Sequence, residues 1–93
     1  MFLSLVWAIL QMRYEFEFKP QAVKDLERLD ATLRTRIVAK VEIMADGLRG
    51  DVMRLTNFTP EYRLRVGDYR VLFEIEGPKI VIYKVRHRSK SYR

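Results

Sequence analysis

Residues 62–70 read YRLRVGDYR, with three arginines in nine positions. Apolar and basic side chains alternate from Tyr62 to Val66, the period of a strand with one buried face. Gly67-Asp68 is a two-residue turn that sends the chain back on itself. Residues 69–76, YRVLFEIE, form the partner strand. In such a hairpin Val66 faces Tyr69, and Arg65 faces Arg70. Tyr62, Leu64, Val66, Tyr69, Val71, Phe73 and Ile75 then share one face, while Arg63, Arg65 and Arg70 share the other. A like-charge pair directly across a sheet is unfavourable by about 0.2–1 kcal/mol. A sequence selected for folding alone would set an acid across from Arg65. The arginine face is therefore prepared for an anion, and a sulfate, phosphate or carboxylate is expected between the guanidiniums.

Working outward, Gly77-Pro78 marks the next turn and residues 79–86 a third strand. If that turn holds an odd number of residues, Val81, Tyr83 and Val85 face inward, and Lys84 and Arg86 join the arginines. A slip of one residue would exchange the faces. The tail, RHRSKSYR at 86–93, adds His87, Arg88, Lys90, Tyr92 and Arg93. Upstream, YEFEF at 14–18 alternates aromatic and acidic residues, a half-buried strand. Pro20 suits the first turn of a helix, with Ala22, Val23, Leu26 and Leu29 marking its apolar face. Asp30 or Thr32 can cap a second helix whose core stripe is Leu33, Ile37, Val41 and Met44. Gly47 is its expected stop. Residues 49–61, with Gly50 and Pro60, read as a connector. The order is β-α-α-β-β-β. It predicts an α+β domain, a helical hairpin packed on a small twisted antiparallel sheet.

The chain has 93 residues, enough for one domain, and about half of them are apolar or aromatic, enough for one core. It has no cysteine and one histidine. Disulfides and thiolate metal sites are excluded, and no zinc site is expected. The composition fits the cytoplasm. The net charge of +6 is unevenly placed. Residues 1–61 carry nine basic and nine acidic side chains, whereas residues 62–93 carry nine basic and three acidic ones. A basic excess confined to one third of the chain attracts polyanions.

The first eleven residues, MFLSLVWAILQ, are apolar apart from Ser4 and Gln11. A bilayer span needs roughly 20 residues, so this run is too short to cross one. It lacks the basic start and cleavage site of a secretion signal. Residues 1–11 are read as a hydrophobic extension, arising from an upstream start codon ahead of Met12, with an extra strand or a docking segment as alternatives. The domain proper is read as residues 12–93.

A basic sheet edged by a tail with His and Tyr suits an RNA phosphodiester. Cleavage without a metal needs a base for the ribose 2′-OH, an acid for the leaving 5′ oxygen, and cations for the charge on phosphorus. Arginine is planar, bidentate and permanently charged, which fits the third role and bars the first two. A free imidazole titrates near pH ~6.5 and a free phenol near ~10. His87 is thus a proton carrier, a phosphate contact or a structural residue. Tyr92 can carry a proton, stack on a base or anchor the tail.

Three segments carry a resemblance: FKPQAVKDLERL at 18–29, RLTNFTPEYRLRVGDYRVLFEI at 54–75 and VRHRSKSYR at 85–93. Residues 12–93 resemble the RelE/ParE superfamily of type II toxins, and the basic, tyrosine-bearing tail resembles the RelE branch. The resemblance implies two helices against an antiparallel sheet, as in small microbial ribonucleases. It implies a metal-independent endoribonuclease that cuts messenger RNA in the ribosomal A site without a cofactor. A small antitoxin, acidic in its toxin-binding segment, would hold the toxin inactive in a hetero-oligomer, with no membrane involved. Carried over residue by residue, the catalytic set is Arg63, Arg65, Arg70, Arg86 or Arg88, and Tyr92. His87, Arg88, Lys84 and Lys90 would bind or support the RNA. Arg63 and Arg65 stand where that pattern can have lysines, so a lysine base is not retained at either position. The alternatives are a ParE-like inhibitor of DNA gyrase, or a degenerate toxin acting only in the antitoxin complex.

Overall fold

The computed structural model describes residues 7–8 and 12–91. Tyr92, Arg93 and most of the apolar extension lie outside the described residues. The elements are β1 (Glu15–Phe18), α1 (Pro20–Glu27), α2 (Ala31–Met44), β2 (Val52–Arg54), β3 (Tyr62–Val66), β4 (Tyr69–Glu76) and β5 (Lys79–His87).

Local chemistry sets the helix boundaries. Pro20 opens α1, where its missing N–H has no partner to lose. Asp30 caps α2, its carboxylate accepting the Leu33 N–H at 2.9 Å. The Arg34 guanidinium reaches back to the Leu26 and Leu29 carbonyls at 3.5 and 3.3 Å, occupying acceptors at the end of α1. Helix α2 stops at Met44, and Gly47 lies beyond it at φ 76°, a conformation that favours glycine.

The sheet has the order β1-β5-β4-β3-β2. Its inner hairpins are antiparallel, as expected, with Arg65 opposite Arg70 and Val66 opposite Tyr69. Two features differ from the sequence expectation. Strand β1 pairs parallel to β5, because the helical hairpin carries the chain across the sheet instead of turning it back. The connector also contains a fifth strand, β2, paired with β3 from Val52–Leu64 to Arg54–Tyr62. Three residues are too few to show a period-2 pattern.

The register of β5 is a third difference. The Gly77-Pro78 turn has two residues, so Glu76 pairs with Lys79 and Phe73 with Ile82. Ile80 and Ile82 therefore enter the core, and Val81 is buried on the other face. The register then shifts, with Leu72 pairing Lys84 and Tyr83 as the extra residue. A bulge of one residue resets the alternation. Val85 consequently points inward, and Lys84 and Arg86 share the arginine side as expected.

The core lies between the helices and one sheet face. Ile37, Val41 and Met44 from α2 meet Leu64, Val71, Phe73, Ile80 and Ile82, each essentially inaccessible. Burial of each such side chain is worth about 1.5–3 kcal/mol. On α1 the buried residues are Ala22, Asp25 and Leu26. Val23, expected in that stripe, is exposed, and Asp25 takes the inward position three residues after Ala22.

Candidate nucleic-acid interface

The face of the sheet opposite the helices carries two cross-strand rows. One contains Asp51, Arg65, Arg70 and Arg86, and the other Met53, Arg63, Leu72 and Lys84. Asp51 sits just before β2, where its carbonyl accepts the Arg65 N–H at 3.0 Å. Its carboxylate bridges two guanidiniums: Oδ1 is 3.0 Å from Arg63 Nη1, and Oδ2 is 2.8 Å from Arg65 Nε. This corrects the sequence expectation: an acid does lie across from Arg65, the chain's own Asp51, delivered by the strand that sequence reasoning missed. The hydrogen bond from Arg63, with the charges of Arg63, Arg65 and Arg70, holds the Asp51 carboxyl below its ordinary value of 3.8 against the opposing effect of burial.

Arg63 is the more enclosed of the pair, with 12% of its side chain accessible against 56% for Arg65. Nη1 of Arg63 also donates to the Asp51 carbonyl at 2.8 Å, and Nη2 lies 3.4 Å from Met53 Sδ. Arg70 donates to the Gly67 and Tyr69 carbonyls at 3.0 and 3.1 Å, which fixes its stem against the hairpin. Gly67 has φ 59°, and the Arg36 guanidinium lies against its α-carbon side, so the hairpin tip gathers a further cation from α2.

The tail residues divide differently. Arg86 shares a row with Arg70 by backbone register, but its guanidinium turns to Asp25 on α1. Asp25 is only 5% exposed; it also accepts from the Val85 N–H and from Gln21, both at 2.9 Å. His87 lies on the helix side of the sheet, edge-on to the Tyr69 ring at 5.5 Å. Its Nδ1 lies 3.0 Å from Ser89 Oγ and 3.3 Å from the Ser89 backbone nitrogen, which ties the ring to the turn after β5. Arg86, His87 and Lys90 line a cleft of about 290 Å³ with Asp25 and Arg28. Arg88 stands apart from it. Its N–H pairs with the Asp68 carbonyl at 2.7 Å beside the hairpin tip, and its side chain is 65% accessible. The turn that follows is closed by Ser91, which is buried and donates to the Arg88 carbonyl at 3.2 Å.

The structure thus brings Arg63, Arg65, Arg70 and Lys84 to one face, places Arg88 at its rim, and draws Arg86 and His87 away. Sequence reasoning missed Asp51 and Asp25. Asp25 had a signal, since a carboxylate within an apolar helical stripe asks for a buried partner. A second cleft, about 570 Å³, is lined by Arg54, Phe58, Glu61 and Glu74 at the far end of β3. Its carboxylates make it unsuited to phosphate. Among the described residues no group of three or more His, Asp or Glu is placed to hold a metal ion, and no helix is long and apolar enough to cross a membrane.

The described residues form a small α+β protein with a cationic sheet face on which an internal carboxylate pairs two of the arginines. The chain belongs to the ParE toxin family of type II toxin–antitoxin systems, within the RelE/ParE superfamily; the family model matches residues 16–92. It is 31% identical to Toxin RelE3 of Methanocaldococcus jannaschii over 80 residues, covering 81% of this chain and 91% of that protein. It is 25% identical over 87 residues to the mRNA interferase toxin RelE of Escherichia coli, covering 87% of this chain and 92% of that one. Among solved structures, the RelB-RelE antitoxin–toxin complex from Methanococcus jannaschii matches with a TM-score of 0.66 at 30% identity, covering 81% of this chain and 93% of that one. The RelBE2 complex from Mycobacterium tuberculosis shares the fold, with a TM-score of 0.72 at 23% identity, covering 83% of this chain and 100% of that one.

Proposed function

We propose that this chain is the toxin of a toxin–antitoxin pair and cuts messenger RNA in the ribosomal A site. The observation that carries the reading is the arginine face, where Arg63 and Arg65 each hold one oxygen of the Asp51 carboxylate with Arg70 beside them. The names of the RelE relatives, one of them an mRNA interferase, support the reaction class.

In the proposed reaction the ribose 2′-hydroxyl gives its proton to a solvent water, and its oxygen attacks the adjacent phosphorus. The P–O bond to the next nucleoside's 5′ oxygen breaks, leaving a 2′,3′-cyclic phosphate and a 5′-hydroxyl. Arg63 and Arg65 bind the non-bridging phosphate oxygens, and Arg70 stabilises the charge that grows on them. Of the two late arginines, Arg88 fills the tail position, because the buried Asp25 neutralises Arg86, whereas Arg88 has only a 4.0 Å pair to the exposed Asp68. Tyr92 delivers a proton to the leaving oxygen, and arginines brought near it would make its phenol a stronger acid. His87, Lys84 and Lys90 contact flanking phosphates. No metal takes part in these steps. The ribosome supplies the in-line geometry of the 2′-OH. A cognate antitoxin, such as the RelB chains in the complexes of the related toxins, covers this face and keeps the toxin inactive in the cytoplasm.

The test is purified toxin on ribosomes carrying a defined message, comparing wild type with Arg70→Ala. Cuts made by the wild type and lost in a folded Arg70→Ala protein support the reading; a fully active Arg70→Ala protein contradicts it. A second reading is a gyrase inhibitor, favoured by the name of the matching family. Inhibition of gyrase supercoiling by a toxin that leaves ribosome-bound message intact would select it. An inert protein in both assays would select the degenerate toxin.

A further inference from the structure

The Asp51 carboxylate spans the cations on which the proposed chemistry depends. Its two oxygens contact two different guanidiniums at 3.0 and 2.8 Å, the pattern in which two non-bridging oxygens of a phosphodiester would be held. Two cations that need an anion and one carboxylate that supplies it make a closed set. RNA phosphate therefore meets an occupied site.

The burial of the three groups is unequal. Arg63 is largely enclosed, and a guanidinium withdrawn from water needs a counter-charge. Asp51 and Arg65 are about half accessible, and ion pairs at that exposure are held only weakly. The carboxylate can thus swing into solvent, provided another anion takes its place over Arg63. The backbone does not depend on the swing. The Asp51 carbonyl keeps its bonds to the Arg65 N–H and to Arg63 Nη1 whatever the side chain does.

We infer that Asp51 is an internal competitor for the phosphate site, a specificity-determining residue that RNA must displace. It keeps Arg63 and Arg65 paired and aligned in the free toxin. It also raises the threshold for binding, so that an isolated anion competes poorly while a polyphosphate backbone held at several points displaces it. The inference rests on the ribonuclease reading only in taking phosphate as the ligand.

The experiment measures binding of a short single-stranded RNA, and separately of inorganic phosphate, to full-length antitoxin-free protein at fixed ionic strength. Asp51→Asn and Asp51→Ala are compared with Glu42→Gln, which removes one negative charge from an exposed position on α2. Removing the competitor tightens RNA binding by about fivefold beyond the control. In an Arg63→Ala/Arg65→Ala background the same Asp51→Asn change gives no more than the control, because both partners of the carboxylate are gone. Asp51 variants that bind RNA no tighter than Glu42→Gln, or a gain that persists without Arg63 and Arg65, would overturn the inference. Tight binding by Asp51→Asn with no cleavage by the wild type would sink the ribonuclease reading alone. Cleavage by the wild type with unchanged Asp51→Asn binding would sink this inference alone.

Discussion

Replacing Asp25 with alanine tests how the tail is tied to the fold. Asp25 is 5% exposed, and its carboxylate accepts the Val85 N–H at 2.9 Å, the Gln21 amide at 2.9 Å and the Arg86 guanidinium. The substitution leaves a buried backbone donor without a partner and Arg86 without its counter-ion. Breaking a fully buried pair costs about 3–5 kcal/mol. Arg86 retains 27% accessibility, so it recovers part of its hydration and the lower end applies. The expected loss is about 3 kcal/mol, which for a domain of this size lowers Tm by roughly 15 °C. Asp25→Asn keeps an acceptor for Val85 and should lose about half as much. Thermal and urea unfolding followed by circular dichroism measures both, and amide exchange at Val85 reports the local opening. An Asp25→Ala protein within about 3 °C of wild type would refute the reasoning, because that shift is less than one buried hydrogen bond to a charge.

The same clamp predicts that Arg86→Ala lowers Tm, while Arg88→Ala leaves Tm unchanged and reduces message cleavage at least tenfold; the reverse pattern would exchange their roles. Tyr92→Phe should fold normally and cleave more slowly, with single-turnover cleavage as the readout, and full activity would remove Tyr92 as proton carrier. Glu17 accepts from Lys79 at 2.6 Å and lies 3.4 Å from Lys19, and the Lys79 hydrogen bond above all holds its carboxyl below the ordinary 4.5. A depressed carboxyl stabilises above its unfolded value and loses that contribution as pH falls through the folded one. The difference in urea midpoint between wild type and Glu17→Gln should therefore be present at neutral pH and vanish in acid below the folded value. A difference that does not change with pH would contradict the pairing.

The hairpin was legible because YRLRVGDYR states its own register. The alternation names both faces, and the two-residue turn fixes Arg65 against Arg70. The helices were legible from the stripe that ends at Met44 and from Asp30 as a cap. The rest depended on pairings that no local pattern records. Strand β2 exists only because β3 offers it an edge, and with it comes Asp51. The register shift opposite Leu72 and Phe73 leaves Tyr83 as the extra residue with no local signal in the sequence, so only the second half of β5 faced as expected. Arg86 and Arg88 read alike in sequence. Asp25, sixty-one positions before Arg86, separates them.

The most direct test of the account is primer extension on a defined message, bound to ribosomes and exposed to purified, antitoxin-free protein. The account predicts cuts at the A-site codon that are absent from the same RNA without ribosomes. An intact message in the presence of demonstrably folded protein would contradict it and leave the arginine face as a binding surface alone.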